Sequence, residues 1–189
     1  MEDFYKTVLN LGVYAPLGCA LAIACLWPFV SARAAKALSL AASAVLAAAG
    51  IALWCAMPAD GSFAFSSDLT LAGVALPQFA LNGVSAPIFA LAGIVGFAAV
   101  WQAACSEIRN AKLYFMLLSV MLGGLAGAFA SVNLLWMYAF HEFALVPTFI
   151  AMNIWGGAGR RMAAMQMAVY LTLGALVSLA GIIALYAQS

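Results

Sequence analysis

The sequence predicts an all-α membrane protein with six transmembrane helices, and two observations carry this prediction. Hydrophobic residues make up 68% of the 189 residues and charged residues only 7%, whereas a soluble domain carries roughly 25% charged residues. Six apolar stretches are each long enough to cross the hydrocarbon of a bilayer, which takes about 20 residues of helix. Each stretch is expected to be helical because a helix satisfies its own backbone hydrogen bonds where water is absent.

The six predicted spans are separated by short connections, with one exception. They cover residues 7–30, 37–57, 84–105, 113–132, 134–155 and 163–187. The longer connection, 58–83, opens with an Asp60-Gly61 turn and continues with alternating polar and apolar residues from Ser62 to Ser66. This pattern predicts a small β-hairpin on the membrane surface. Because no linker or second domain is evident, residues 1–189 are predicted to form a single transmembrane domain.

Lysine and arginine residues lie in alternate connections, and this predicts the orientation of the chain. Apart from Lys6, the basic residues follow the first, third and fifth spans: Arg33, Lys36, Arg109, Lys112, Arg160 and Arg161. Basic residues in short loops stay in the cytoplasm. Both termini are therefore expected on the outer, periplasmic side of a prokaryotic inner membrane.

Charge and cysteine content argue against several classes of function. The net charge of +1 offers no clustered basic face of the kind that binds nucleic acid. The four cysteines form no CxxC pair and lie in or beside apolar runs, so they are expected to be small buried hydrophobic residues. They are Cys19, Cys25, Cys55 and Cys105. No metal-ligand cluster or nucleotide-binding loop is present, and the chain is expected to bind neither metal nor cofactor itself.

Glu142 and His141 are the acidic residue and the histidine inside the predicted spans. An ionisable group near the bilayer centre costs at least about 2.5 kcal/mol, so it usually faces a partner or water and marks an ion pathway. Glu142 is therefore a candidate proton-transfer group, or else a neutral acid that joins two helices. His141 points about 100° away from it around the helix, and is a candidate either for a proton relay or for a helix–helix hydrogen bond.

Three further residues of the fifth span could line a path to Glu142. Tyr138 and Asn153 lie four and eleven residues away, on the same helical face. Pro147 lacks an N–H group, so the carbonyl of Phe143 loses its helical donor and becomes a place where water can be ordered. Each of these residues could instead serve helix packing.

The sixth and fourth spans supply a second group of candidates. Gln166 and Tyr170 lie four residues apart on one face of the sixth span and could line the same path. Gly123, Gly124 and Gly127 in the fourth span have the small-residue spacing that lets membrane helices approach closely. We expect these glycines to serve packing.

The fifth span carries a family resemblance. The segment NLLWMYAFHEFALVPTF, residues 133–149, resembles the fifth helix of the M-type antiporter-like subunit of the respiratory NADH-quinone oxidoreductase, complex I. The turn IWGG at 154–157 with Arg160 and Arg161, and the segment LNGVSAP at 81–87, are similar to further motifs of that family. The resemblance covers the chain and is strongest over 133–161.

The resemblance implies a role for this chain and for its partners. Glu142 matches the glutamate that the family uses to translocate protons, and Pro147 favours the M-type subunit. Members of the family continue beyond six spans, and a lysine on a broken seventh helix partners the glutamate. A further chain that supplies later helices and this lysine is therefore an expected partner. NAD, flavin, iron–sulfur clusters and quinone are expected in other subunits, with this chain as a non-redox subunit of the translocase.

Departures from the family pattern leave three alternatives open. Asn82 and Asn133 stand where the family usually has aspartate, His141 stands where it has an aromatic or apolar residue, and Gln166 where many members have lysine. The chain could belong to a Mrp-type cation/proton antiporter. It could belong to a hydrogenase- or ferredoxin-linked relative of complex I. It could also be a structural scaffold without a proton path of its own.

Overall fold

The computed structural model describes residues 2–58, 62–67, 70–71, 74–75 and 77–188. Six long helices occupy most of these residues: α1 (Glu2–Cys25), α2 (Ala32–Cys55), α3 (Ser85–Cys105), α4 (Ala111–Ala130), α5 (Leu134–Trp155) and α6 (Arg160–Gln188). Each helix is long and apolar enough to cross a membrane. The predicted helical class is therefore confirmed, as is the presence of six helices long and apolar enough to span a membrane.

The helix ends differ from the apolar stretches by a few residues. Helix α1 ends five residues before the predicted end of the first span, because Pro28 lacks the N–H that a helix requires and disfavours a helical residue before it. Ser31 then caps α2 by accepting a hydrogen bond of 3.1 Å from the backbone N–H of Ala34. Helices α1 and α6 begin earlier than predicted, at Glu2 and Arg160. The prediction followed the apolar stretches, whereas a helix can extend into polar residues at its ends.

The first four helices form the densest part of the bundle, and α5 and α6 are added on one side. Helix α4 packs against α1, α2 and α3 and also against α5, whereas α6 packs chiefly against α5. Phe89 and Phe115 are fully buried in the core. A buried hydrogen bond of 3.0 Å joins the Ser39 and Ser119 hydroxyls and ties α2 to α4. The outer faces of α5 and α6 stay exposed.

The three basic connections meet at one end of the bundle. The ammonium of Lys36 donates to the backbone oxygen of Ala104 at 3.0 Å, at the end of α3. The ammonium of Lys112 donates to the backbone oxygen of Trp27 at 3.2 Å and lies over its indole ring. This end of the bundle is therefore the basic end. Its location in the cytoplasm remains a prediction.

Short strands cover part of the opposite end. Strand β1 (Ala64–Ser67) pairs antiparallel with β4 (Phe79–Leu81), and β2 (Thr70–Leu71) pairs antiparallel with β3 (Val74–Ala75). The segment predicted to form one hairpin thus contains an outer and an inner pair. The Asp60-Gly61 turn lies outside the described residues.

The outer pair is packed onto the helices. Phe65 and Phe79 are buried, and their rings lie 5.2 and 5.6 Å from those of Tyr5 and Tyr14 in α1. The hydroxyl of Ser67 donates to the Asn10 side chain at 2.8 Å. The pair therefore caps the helical core through its aromatic residues.

The four cysteines were expected to be buried, and this is confirmed for one of them. Cys19 is buried, but Cys25, Cys55 and Cys105 are exposed. Each of these three is the last residue of its helix, where the helix leaves the packed core.

Candidate functional site

Glu142 lies near the middle of α5. The helix begins after Asn133, whose side chain accepts a hydrogen bond of 2.8 Å from the N–H of Leu135. Glu142 follows eight residues after Leu134, about 12 Å along a helix that is about 33 Å long. Its side chain is half-buried, unlike the exposed loop residue Glu107. The position of Glu142 thus places a carboxyl group at the depth of the hydrocarbon.

Two clefts meet at Glu142. The first has a volume of about 160 Å³ and lies between α5 and α6. Its other lining residues are Leu145, Val146, Phe149, Ala168, Leu171 and Thr172. The second has a volume of about 370 Å³ and lies between α4 and α5. Its other lining residues are Leu117, Val120, Ala139, Phe143, Val146, Pro147 and Ile150. Glu142 is the ionisable residue of both linings.

The Glu142 carboxyl has few polar neighbours. Its Oε1 atom is buried and has no hydrogen-bond partner within the described part of the chain. The Tyr138 side chain, one helical turn earlier, lies next to the carboxyl and interacts with it. The structure therefore brings these two predicted residues together. A buried carboxyl oxygen without a partner is costly unless another group or water satisfies it.

Pro147 lies in the wall of the cleft between α4 and α5 and is buried. It cannot donate to the carbonyl of Phe143, one turn before it. The Thr148 hydroxyl does not replace the missing donor, because it donates to the carbonyl of Ala144 at 2.8 Å. The Phe143 carbonyl is thus a second polar group close to the Glu142 level of the helix.

Close approach of α4 holds this part of α5 in place. A Cβ atom on Gly124 would lie 2.8 Å from both the carbonyl oxygen of Phe140 and the nitrogen of Ala144. The helices can meet at this distance only because residue 124 has no side chain. The expected packing role of this glycine agrees with the structure, and it sets the width of the cleft beside Glu142.

The remaining candidates do not line the two clefts at Glu142. His141 is exposed on a neighbouring face of α5. Asn153 lies eleven residues from Glu142, about 16 Å along the helix, and lines a separate cleft with arginines at the basic end. Gln166 and Tyr170 are exposed on α6.

Thr172 of α6, rather than Tyr170, faces Glu142. Two residues along a helix correspond to a rotation of about 200°, so the two side chains lie on nearly opposite faces. The packed face of α6 carries small residues at helical spacing, Ala164, Ala168 and Ala175, and Thr172 is exposed where it lines the cleft. Such residues are enriched where membrane helices touch.

Known proteins match this chain over parts of its length. Over 68 residues, 36% of this chain, it is 40% identical to the chloroplast NAD(P)H-quinone oxidoreductase chain 4 of Mesostigma viride. Over 77 residues, 41% of this chain, it is 38% identical to the NADH-quinone oxidoreductase subunit M of Rickettsia felis. The predicted resemblance to the M-type antiporter-like subunits is confirmed.

A third relative of the antiporter-like type has a different electron donor in its name. The F(420)H(2) dehydrogenase subunit M of Methanosarcina mazei is 29% identical over 116 residues, 60% of this chain. The matched residues make up 13%, 16% and 21% of the Mesostigma, Rickettsia and Methanosarcina proteins. The match thus spans about a fifth or less of each of these relatives. No protein-family model matches the chain.

The fold of this chain is also found in a solved structure. A chain of the membrane-bound sulfane sulfur reductase, an archaeal respiratory membrane complex, superposes with a TM-score of 0.76. The superposition covers 92% of this chain and 36% of that chain at 15% identity. At this identity the comparison establishes a shared fold.

Proposed function

We propose that this chain is a split or N-terminal portion of a proton-translocating antiporter-like subunit in a respiratory NADH-quinone oxidoreductase, with Glu142 as its proton-carrying group. The observation that carries the proposal is the position of Glu142, at mid-helix and in the linings of two clefts on either side of α5. One cleft supplies a route for a proton to reach the carboxyl, and the other supplies a route away from it. Water that enters these clefts would conduct the proton through their apolar linings.

The chemistry of the proposed step is a change in the charge of Glu142. Ionised, the carboxylate would accept a hydrogen bond from water or from the neighbouring Tyr138 hydroxyl. Protonated, its O–H can donate to water or to the freed Phe143 carbonyl. The ionised form is costly in hydrocarbon unless a positive charge approaches. Proton uptake and release by Glu142 would therefore follow the arrival and departure of a charge on a neighbouring helix.

A lysine outside residues 1–189 is the proposed source of that charge. The lysines of this chain, Lys6, Lys36 and Lys112, lie near helix ends. Exposed apolar side chains of α5 and α6, such as Met137 and Val177, offer a surface for later helices that carry the lysine. The partner is expected to be another membrane subunit or segment of the same assembly. NAD, flavin, iron–sulfur clusters and quinone would belong to its other subunits.

The proposed location is the inner membrane of a prokaryote, with the basic end in the cytoplasm and both termini outside. The basic residues of the three connections at this end support the orientation. The chain itself would carry out no redox chemistry. It would contribute proton transport to a translocase.

A second candidate function differs only in the complex that drives the pump. The relative from Methanosarcina mazei is named for F(420)H(2), not for NADH, so the donor can vary among relatives of this chain. A hydrogenase- or ferredoxin-linked complex is thus an alternative setting for the same Glu142 chemistry, as is a Mrp-type cation/proton antiporter. A scaffold role is less well supported, because Oε1 of Glu142 accepts no hydrogen bond from another helix in the described part of the chain.

The proposal is tested by the Glu142→Gln substitution in the assembled complex. Glutamine keeps the shape of the side chain but carries no titratable proton. We expect an assembled variant whose proton-to-electron ratio in reconstituted vesicles is lower than that of the wild type. Glu107→Gln is the matched control, because it makes the same chemical change at an exposed loop residue and should leave the ratio unchanged. An assembled Glu142→Gln variant with the wild-type ratio would contradict the proposal.

A further inference from the structure

The basic end of the bundle contains a polar cleft that the proton path does not use. It has a volume of about 520 Å³ and lies between the α3–α4 connection and the turn that joins α5 to α6. Its lining includes three arginines, two asparagines and a tryptophan: Arg109, Arg160, Arg161, Asn110, Asn153 and Trp155. Three guanidinium groups are therefore concentrated at one opening.

Contacts between the two connections hold the cleft in shape. The indole N–H of Trp155 donates to the backbone oxygen of Arg109 at 2.8 Å. The Trp155 ring also meets that of Tyr114 edge to face, with 5.0 Å between centroids. Asn110 adopts a left-handed backbone conformation, with φ of 57°, where the connection turns into α4. These contacts fix the α3–α4 connection, which carries Arg109, against the end of α5. Arg160 and Arg161 line the same cleft from α6.

The charge of the cleft is not neutralised within the described part of the chain. The ion pair of the described residues joins Lys6 to Asp3, and it lies at the opposite end of the bundle from this cleft. Glu107 lies in a neighbouring cleft with Arg33, Lys36 and Arg109, but forms no ion pair in the described residues. Among the described residues, no carboxylate lines the cleft of the three arginines. The arginines are accordingly available to an external anion.

An apolar surface adjoins the charged groups. A second cleft, of about 790 Å³, shares Arg160 and Arg161 and continues over Met162 and Met165 of α6. These methionines are 71% and 67% exposed. Gly157 also lines this second cleft, and a Cβ atom there would meet nothing within 4 Å. The combined surface is cationic at its polar end and apolar along the helix.

From this arrangement we infer that the cleft binds the phosphodiester headgroup of an anionic phospholipid, whose acyl chain lies along α6. Guanidinium groups match phosphate geometry and can donate paired hydrogen bonds to it. Basic pockets between membrane helices are suited to such headgroups. Inorganic phosphate would leave the methionine surface unused, and an acidic protein segment would not require it. The inference does not depend on the proton chemistry of Glu142.

The test is the retention of phosphatidylglycerol by the purified membrane assembly, measured by native mass spectrometry during a lipid titration. Replacing one arginine of the cleft should weaken retention about five-fold, and the double variant Arg160→Gln/Arg161→Gln roughly twenty-fold. The double lysine variant, Arg160→Lys/Arg161→Lys, keeps the charge that orients the chain and should show an intermediate loss. Retention should also fall as salt is raised.

Two controls separate a built site from general attraction. Arg33→Gln removes an exposed charge from the same end of the bundle but outside the cleft, and should change retention less than two-fold. Phosphatidylcholine should not be retained at the site. The inference is overturned if the double glutamine variant retains phosphatidylglycerol like the wild type, or if Arg33→Gln loses as much. Displacement of the lipid by equimolar inorganic phosphate would identify a phosphate site and overturn the inference. Release of a partner chain by the double glutamine variant, with the lipid kept, would identify a protein contact and also overturn it.

Discussion

At the scale of single residues, the proposed function of this chain depends on how one carboxyl group is surrounded. Glu142 has apolar clefts on two sides, Tyr138 beside it and a buried oxygen that no other described group satisfies. Burial of an ionised carboxylate without a positive partner is costly, and burial of a neutral carboxyl group without a hydrogen bond is also costly. Under the proposed function, water or a group that approaches from outside would satisfy this oxygen.

Helical spacing made some of these neighbours predictable from the sequence and left others open. Tyr138 and Pro147 were predicted beside Glu142 because all three lie on one helix, where geometry fixes relative positions. Thr172 was missed in favour of Tyr170 because its proximity depends on how α6 is rotated against α5. Helix α6 is apolar around most of its circumference, so its hydrophobic residues do not specify which face is packed.

At the scale of helices and strands, the separation of α4 and α5 is set by a residue without a side chain. At Gly124 an added Cβ would approach backbone atoms of α5, which cannot move aside as a flexible side chain could. The width of the cleft between Glu142 and α4 therefore depends on this contact. The packing role of Gly124 is predictable from the spacing of small residues in α4. The backbone atoms of α5 that it contacts are not predictable from the sequence.

This contact predicts that Gly124→Ala destabilises the protein by about 1–3 kcal/mol, the usual cost of overpacking. The effect should appear as a lower Tm for the protein in detergent. Gly174→Ala is the matched control, since a Cβ there meets nothing within 4 Å and alanine favours a helix more than glycine does. A Gly124→Ala variant as stable as Gly174→Ala would show that α4 and α5 are not held at this distance.

Strand pairing illustrates a different limit of sequence reasoning. The alternation near Phe65 correctly indicated an extended segment, but β1 pairs with β4, beyond an inner pair of strands. The choice of partner is stabilised by burial of Phe65 and Phe79 against the helices. Such long-range packing is not encoded in local alternation.

At the scale of the whole molecule, the bundle has a basic end and an opposite end capped by strands. The sequence predicted which connections share an end, because six spans must alternate in direction. Contacts such as that of Lys36 with the end of α3 agree with this arrangement. Which end faces the cytoplasm depends on the membrane, and the distribution of basic residues predicts it.

The orientation predicts distinct labelling from the two sides of the membrane. In a background without the four native cysteines, Ala158→Cys in the α5–α6 turn should react only with a reagent applied from the cytoplasmic side. Val132→Cys, exposed at the opposite end, should react only from outside. The reverse pattern would contradict the predicted orientation.

The central claim, that Glu142 carries the proton, is tested most directly by infrared difference spectroscopy of the intact assembly during turnover. A carboxyl group that gains and loses a proton changes its carbonyl stretching band between the two states. We predict such a band in the wild type and in the Glu107→Gln control, and its loss in an assembled Glu142→Gln variant. A carboxyl band that persists unchanged in the Glu142→Gln variant would assign the proton to another group and contradict the claim.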